Sequence, residues 1–298
     1  MSASALKHVV SVLRYVWNHP ANEGGRARAL ARALSWQFYK RATARTLDIS
    51  LYGDYKLRCY PDSTAASAAL YAAGYPDWSE MAFIQHYLRT GDGFVDVGAN
   101  VGVYTLLAAS LVGPDGRVAS FEPEPKALKR LRENISLNRL NNVEVHPFAV
   151  SDKSGTISFD PAAGTTGHMV EGEQDRPGAL QASSVRLDDV LPGDGWSMGK
   201  MDIEGAEPLA LRGAERLLAE MNPPVWLLEV NGCLKRYGFT EEQLWGWLDE
   251  RQWDVYLYEP AQRRLQPCTT PSSKHHNVLV VARGAFDRVS ARVRNGGP

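Results

Sequence analysis

Cysteine is scarce in this chain: Cys59, Cys233 and Cys268 are its three, widely spaced, with no CxxC pair. That pattern argues against a disulfide framework and a zinc site, and points to a reducing cytoplasm. Long apolar runs are lacking too, and no stretch approaches the ~18 consecutive apolar residues of a membrane-spanning helix. The opening MSASALKHVVSVLRYVW is interrupted by Lys7, His8 and Arg14, so it lacks the long apolar core of a signal peptide. An excess of one charge sign is missing as well. Net charge is −1 over 298 residues, which gives no overall pull toward nucleic acid or membrane. What is present is 44% hydrophobic and 22% charged residues, the balance of a soluble globular chain able to bury a full core without staples.

Charge is nevertheless uneven. Residues 1–46 hold Lys7, Arg14, Arg26, Arg28, Arg32, Lys40, Arg41 and Arg45 against Glu23 alone, a net of +7 that leaves −8 for the rest. A basic arm on an acidic body docks on that body, on a second copy through its helices, or on an anionic surface.

Periodicity predicts helices over 4–17 and 26–44, the second with Leu30, Leu34 and Phe38 on its apolar face, separated by the breaker HPANEGG. LDISLYGDYKLRCYP reads as a hairpin turning at Gly53-Asp54. A short helix should end at Gly74. Asp77 with Glu80 three residues on has the form of a capping box for a helix burying Met81, Ile84 and Leu88.

From Phe94 strands and helices alternate. Strands are expected at 94–97, 117–121, 143–147, 200–203, 225–230, 254–258 and 277–282, and helices at 104–111, 125–138, 207–219 and 240–251. Alternation of this kind predicts a mainly parallel sheet with helices on both faces. The last two strands are joined without a clear helix, so the final one is expected to run antiparallel. Residues 149–160 read as strand, turn and strand, and 160–182 as an irregular loop over a site. The expected organisation is a helical and hairpin extension over 1–75, a catalytic domain over 76–285 and a tail over 286–298.

FVDVGANVGVYT, residues 94–105, is a strand, a glycine turn and a helix start. In a parallel sheet ligands bind outside the strands' carboxyl ends, where this turn lies. Gly98 permits a tight turn, Gly102 lets the helix approach, and free N–H groups there favour an anionic group. Glu122, 24 positions after Gly98, ends the next strand, where an acid grips a ribose diol. No GKS or GKT follows, which excludes a P-loop. The pattern is G-x-N-x-G rather than G-x-G-x-x-G, which weakens a dinucleotide. Asn100 instead suits the amino-acid end of S-adenosylmethionine (SAM), which has a ribose and no phosphate. An NAD(P)-dependent oxidoreductase stays open as an alternative, as does a non-catalytic binding module anchored by its basic arm.

FVDVGANVGVYTLLAA, VASFEPEP, NNVEVHPFAVSDKSG and KMDIEGAEPLALRGA together resemble the FkbM family of SAM-dependent methyltransferases. The resemblance spans roughly residues 80–282. It implies a Rossmann-like class I methyltransferase fold, with seven strands of which the last is inserted antiparallel. It also implies O-methylation of a hydroxyl on a sugar, polyketide or other secondary metabolite. Asp96, Gly98, Asn100, Gly102 and Glu122 are then the expected SAM-binding residues.

A hydroxyl is a poor nucleophile at neutral pH, so something must take its proton or stabilise the alkoxide. Asp202 and Glu204 end the fourth strand; Glu229 and Asn231 end the fifth. Asp202, Glu229 and Asn231 make an oxygen set suited to Mg²⁺. The metal-free version takes Asp202, Glu204 or His275 as base, with His276 and His168 as further candidates. Tyr71, Tyr75 and Trp78 either roof the site or pack in the core. The expected partner is a small hydroxyl acceptor, with no nucleic acid.

Overall fold

The computed structural model describes residues 3–160, 168–170, 180–230, 232–270 and 276–296. The basic arm is helix α1 (Ala3–Asn18) and helix α2 (Arg26–Thr43), joined by a 3-10 turn over Pro20–Gly25. Strands β1 (Leu47–Leu51) and β2 (Tyr55–Cys59) form the expected antiparallel hairpin. Helices α3 (Thr64–Tyr71) and α4 (Trp78–Tyr87) lead into the alternating region: β3 (Gly93–Val97), α5 (Val103–Val112), β4 (Arg117–Phe121), α6 (Pro125–Leu137) and β5 (Val143–His146). Four short strands follow, β6 (Ala149–Val150), β7 (Gly155–Asp160), β8 (His168–Val170) and β9 (Leu180–Val185). Then come α7 (Leu187–Val190), β10 (Met198–Met201), α8 (Glu207–Arg212), α9 (Glu215–Ala219) and β11 (Val225–Glu229). The chain ends with α10 (Glu241–Glu250), β12 (Trp253–Glu259), β13 (Arg264–Pro267), β14 (Asn277–Ala282) and α11 (Phe286–Arg294). Among the described residues no helix is long and apolar enough to cross a membrane.

The main sheet has the order β13-β12-β14-β11-β10-β3-β4-β5. The block from β11 through β5 is parallel, and β14 enters antiparallel between β11 and β12, as the missing crossover helix predicts. The sheet has eight strands rather than seven. Arg263 takes a left-handed turn (φ 47°), and residues 264–267 fold back on β12 as an antiparallel edge. The central strands are buried along nearly their whole length, which is why they read as continuous apolar runs. Order reverses between β3 and β10, and the crevice opens there.

Several local expectations are corrected. The helix expected over 207–219 breaks at Gly213, where a Cβ would lie 2.1 Å from the Ser151 carbonyl oxygen. Asp188 then caps the second piece, its carboxylate accepting from the N–H groups of Arg216 (2.9 Å) and Leu217 (3.2 Å). Segments 168–170 and 180–185 are strands of a second sheet, order β6-β9-β7-β8, not irregular loop; 161–167 and 171–179 lie outside the described residues. Residues 286–294 form a helix that buries Val289 and Val293. In α2 the buried face is Ala29, Ala33 and Trp36, while Leu34 and Phe38 face solvent. Small residues and one indole, whose Nε1 donates to Ser67 Oγ (3.1 Å), fit the narrow contact better than the larger aliphatics. Asp77 precedes α4, and Met81, Ile84 and Leu88 are buried as expected. Its carboxylate makes no cap bond and accepts instead from the Tyr104 hydroxyl (2.8 Å).

The hairpin is tied to the sheet by two asparagines of or just after α6. Asn134, fully buried, accepts from the Arg58 N–H (2.8 Å) and donates to the Val101 carbonyl (2.8 Å). Asn138 accepts from the Lys56 N–H (2.6 Å) and donates to its carbonyl (2.7 Å). Side-chain amides thereby satisfy the outer edge of β2, and the same amide of Asn134 steadies the turn after β3.

Candidate active site

A cleft of about 490 Å³ lies at the carboxyl ends of β3, β4, β10 and β11. Gly98, Asn100, Glu122, Asp202, Glu204 and Glu229 all line it. Of the expected residues, Asp96 and Gly102 stand behind the surface, and His275 and Asn231 lie outside the described residues.

The first wall is backbone. Gly98 (φ +79°) and Ala99 both donate their N–H groups to the Phe121 carbonyl (3.0 Å each), binding the tip of β3 to that of β4. A Cβ on Gly98 would lie 2.0 Å from the Asp202 carbonyl oxygen, so only glycine lets the tips of β3 and β10 meet. Asn100 adopts a left-handed conformation (φ 51°) and accepts the Val101 N–H on its own Oδ1 (2.8 Å), a side-chain turn that asparagine tolerates.

Glu122 is nearly buried, with Oε2 accepting from the Asn100 N–H and Oε1 from the Glu124 N–H, both at 2.8 Å. Each oxygen retains a lone pair for a ligand hydroxyl. Burial outweighs these bonds and pushes its pKa up to about 7. Asp96 sits under the floor, fully buried. Its Oδ2 accepts from Thr105 Oγ1 (2.6 Å), which also bonds Ser120, and its Oδ1 has no partner among the described residues. Asp96 braces α5 against β3 and β4 from below.

The second wall is made of charged side chains. Lys200, nearly buried in β10, places Nζ 3.0 Å from Asp202 Oδ2 and 4.6 Å from the centre of the Tyr104 ring. Burial lowers its pKa, but the carboxylates of Asp202, Asp96 and Glu229 reverse the effect and raise it above its usual value. Asp202 shares a hydrogen bond with Glu229. Burial acts to raise the Asp202 pKa, and Lys200 and Glu229 together pull it below the carboxylate range. Burial and the neighbouring Asp202 charge push Glu229 up to about 10. At neutral pH the cluster therefore holds an ammonium, a carboxylate and a protonated acid. Among the described residues buried Glu229 Oε2 has no hydrogen-bond donor.

Glu204 has a left-handed backbone (φ 57°), with Oε2 3.8 Å from Arg236 Nη1. Glu207 opens α8 but is not at the surface. It is fully buried, accepts the Ile203 N–H (2.8 Å), and burial lifts its pKa to about 8. It shapes the 203–206 turn from inside. Tyr75 and Trp78 pack edge to face (6.2 Å), and Tyr71, Tyr75 and Trp78 do not line the cleft; Pro76 and Asp77 between them do. His276 is exposed, its carbonyl accepting the Val230 N–H (2.6 Å). Sequence reasoning missed Lys200, Tyr104 and the placement of Asp77. The signal for Lys200 was there: a lysine inside the apolar strand MGKM has to find carboxylates.

The match to known families covers this same region. A family model described as the methyltransferase FkbM domain matches residues 96–255, just over half of the chain. The chain belongs to the FkbM methyltransferase family. As a family member it is a SAM-dependent methyltransferase, which displaces the oxidoreductase and binding-module alternatives. It is 29% identical to the 31-O-demethyl-FK506 methyltransferase FkbM of Streptomyces tacrolimicus, over 55% of this chain and 79% of that protein. It is 30% identical to the 2-O-methyltransferase NoeI of Sinorhizobium fredii, over 42% of this chain and 58% of that one. Among solved structures it is similar to an FkbM methyltransferase from Methylobacillus flagellatus, at 17% identity and a TM-score of 0.42, over 74% of this chain and 55% of that one.

Proposed function

We propose that the protein methylates a hydroxyl oxygen of a small acceptor, a sugar, polyketide or other secondary metabolite, using SAM. The observation that carries this reading is the Lys200–Asp202–Glu229 cluster, which shares one cleft with Gly98, Asn100 and Glu122. The names of the FkbM and NoeI relatives, both O-methyltransferases, support oxygen as the target.

When bound, SAM supplies a methyl group already activated on a sulfonium. Glu122 would hold the ribose through its free lone pairs. The N–H groups of residues 98–102 are spent on Phe121, Glu122, Ala99 and Asn100 Oδ1, contrary to the expectation of free donors there. The Asn100 side-chain amide N–H would therefore receive the amino-acid end. The acceptor hydroxyl sits against Asp202. The Asp202 carboxylate would take the hydroxyl proton as that oxygen accepts the methyl group. Lys200 offsets charge building on the oxygen, and protonated Glu229 orients Asp202. Proton removal of this kind contributes roughly 10² to 10⁴ in rate, and alignment of the partners contributes more.

A second reading is favoured by one further observation. Asp202, Glu204 and Glu229 offer oxygens that all lie within 4.8 Å of one another. These three would hold a divalent cation such as Mg²⁺ in place of the Glu229 proton, and the ion would lower the pKa of a bound hydroxyl. The test is methyl transfer to a sugar and polyketide panel, with and without EDTA. Full activity in chelator supports Asp202 as base. Loss that Mg²⁺ restores supports the cation. No transfer to any hydroxyl, with transfer to nitrogen or carbon acceptors, rejects O-methylation.

A further inference from the structure

Seven large hydrophobic side chains are exposed among the described residues, and six of them, Val10, Tyr15, Trp17, Leu34, Phe38 and Leu47, lie in or beside the basic arm. The arm is docked on its own body by one face only. Val16, Ala29, Ala33 and Trp36 are buried, and His19 Nε2 bonds the Pro76 carbonyl (3.1 Å). Buried Asn22 donates to the carbonyls of Val16 (3.0 Å) and Tyr71 (2.9 Å). The opposite face of α2 carries an exposed stripe, Ala27, Ala31, Leu34 and Phe38, at helical spacing. Phe38 is 76% exposed and Leu34 51%. Exposed Arg28, Arg41 and Arg45 flank or extend the stripe, and among the described residues none of them pairs with a carboxylate.

An apolar stripe edged by exposed arginines without carboxylate partners, Arg41 donating to the Gln37 carbonyl one turn back (2.9 Å), has the make-up of a helix that lies in a lipid interface. We propose that the free face of α2, with Trp17 of α1, docks on an anionic lipid surface. Charge decides between this partner and a second copy of the chain. A two-fold dimer through this face sets Arg28, Arg41 and Arg45 against the same arginines of the second copy. Contact with the acidic body of another copy, reciprocal or head to tail, would take the arginines but not Phe38 and Leu34, since among the described residues beyond Leu47 the body exposes only Met221 of its large hydrophobic side chains. An anionic bilayer satisfies both features at once: headgroups take the arginines and the acyl boundary takes Phe38 and Leu34. Through the His19 and Tyr15 bonds to Pro76, the docked helices reach the rim of the cleft.

Vesicle sedimentation with the full chain tests this. At about 50 mM salt the protein should pellet with phosphatidylcholine vesicles containing a third phosphatidylglycerol, and not with phosphatidylcholine alone. Raising salt to about 500 mM should weaken binding about tenfold. The double variant L34S/F38S and the triple variant R28E/R41E/R45E should each weaken it about tenfold, with melting temperature and methyl transfer to a soluble acceptor unchanged. Absence of pelleting at low salt overturns the proposal. So does equal binding to both vesicle types, or variants that pellet like the parent. Absence of pelleting together with a dimer in light scattering that L34S/F38S dissociates assigns the face to a second copy.

Discussion

At the tips of β3 and β4 the cleft is shaped by backbone, whereas at the tips of β10 and β11 it is shaped by charged side chains. The first wall depends on left-handed conformations at Gly98 and Asn100 and on amides that fix Glu122. The second depends on a proton and a charge shared among Lys200, Asp202 and Glu229. Backbone holds a shape whatever the pH; a coupled cluster changes its charge when a ligand, a proton or a cation arrives. This division suits a rigid seat for a common cofactor beside an adjustable seat for a variable acceptor.

The sharpest way to break the comparison is to disable one wall and read the other. Asp202→Asn keeps the shape and removes the carboxylate. It should lower kcat about 10²- to 10⁴-fold, roughly 3–5 kcal/mol, while SAM affinity stays within about twofold. Single-turnover methyl transfer and calorimetric SAM titration separate the two readouts. Equal loss of SAM binding would mean that the walls are one unit. The converse variant is Gly98→Ala. Its Cβ meets backbone oxygen at 2.0 Å in a left-handed conformation, so neither rotamer nor neighbour can relieve the clash. Stability should drop by about 3 kcal/mol in urea titration, and SAM binding should go with it. An unchanged midpoint would show that the tips of β3 and β10 have room to part.

The same division explains what the sequence revealed. Gly98, Asn100 and Glu122 were legible because the turn is local and the distance to the next strand's acid is fixed by one helix. The antiparallel β14 was legible from a missing crossover helix. The eighth strand was not, since four residues of mixed polarity pair only because β12 leaves an edge free. Leu34 and Phe38 misled because an apolar stripe signals burial only when the burying partner is known, and here the body takes the alanine face. Asp202 and Glu229 were recognisable as strand-end acids. The Lys200–Asp202 pair was within reach of the sequence, two residues apart at the end of β10, but that the Asp202 charge keeps Glu229 protonated is a through-space relation between β10 and β11, and no spacing along the chain encodes it.

The smallest expected effect concerns protonation on the rigid side. Glu122 has its folded pKa raised to about 7 by burial, above the unfolded value near 4.3. Its stabilising contribution to the free protein is full below about pH 4.3 and is lost as pH rises through about 7. SAM reverses the preference, because ribose hydroxyls donate best to the ionised carboxylate. Affinity for SAM should therefore rise about tenfold, near 1.4 kcal/mol, between about pH 6 and pH 8, with a proton released on binding. Calorimetry in buffers of different ionisation enthalpy measures both. Glu207, raised to about 8, adds to the fall in stability but lines no part of the cleft, so Glu122→Gln is the variant that isolates the effect on affinity. It should flatten the pH profile of SAM binding and leave the decline in stability caused by Glu207. A profile that keeps its slope in Glu122→Gln would move the titrating group to the acceptor wall and leave the backbone-built side indifferent to pH.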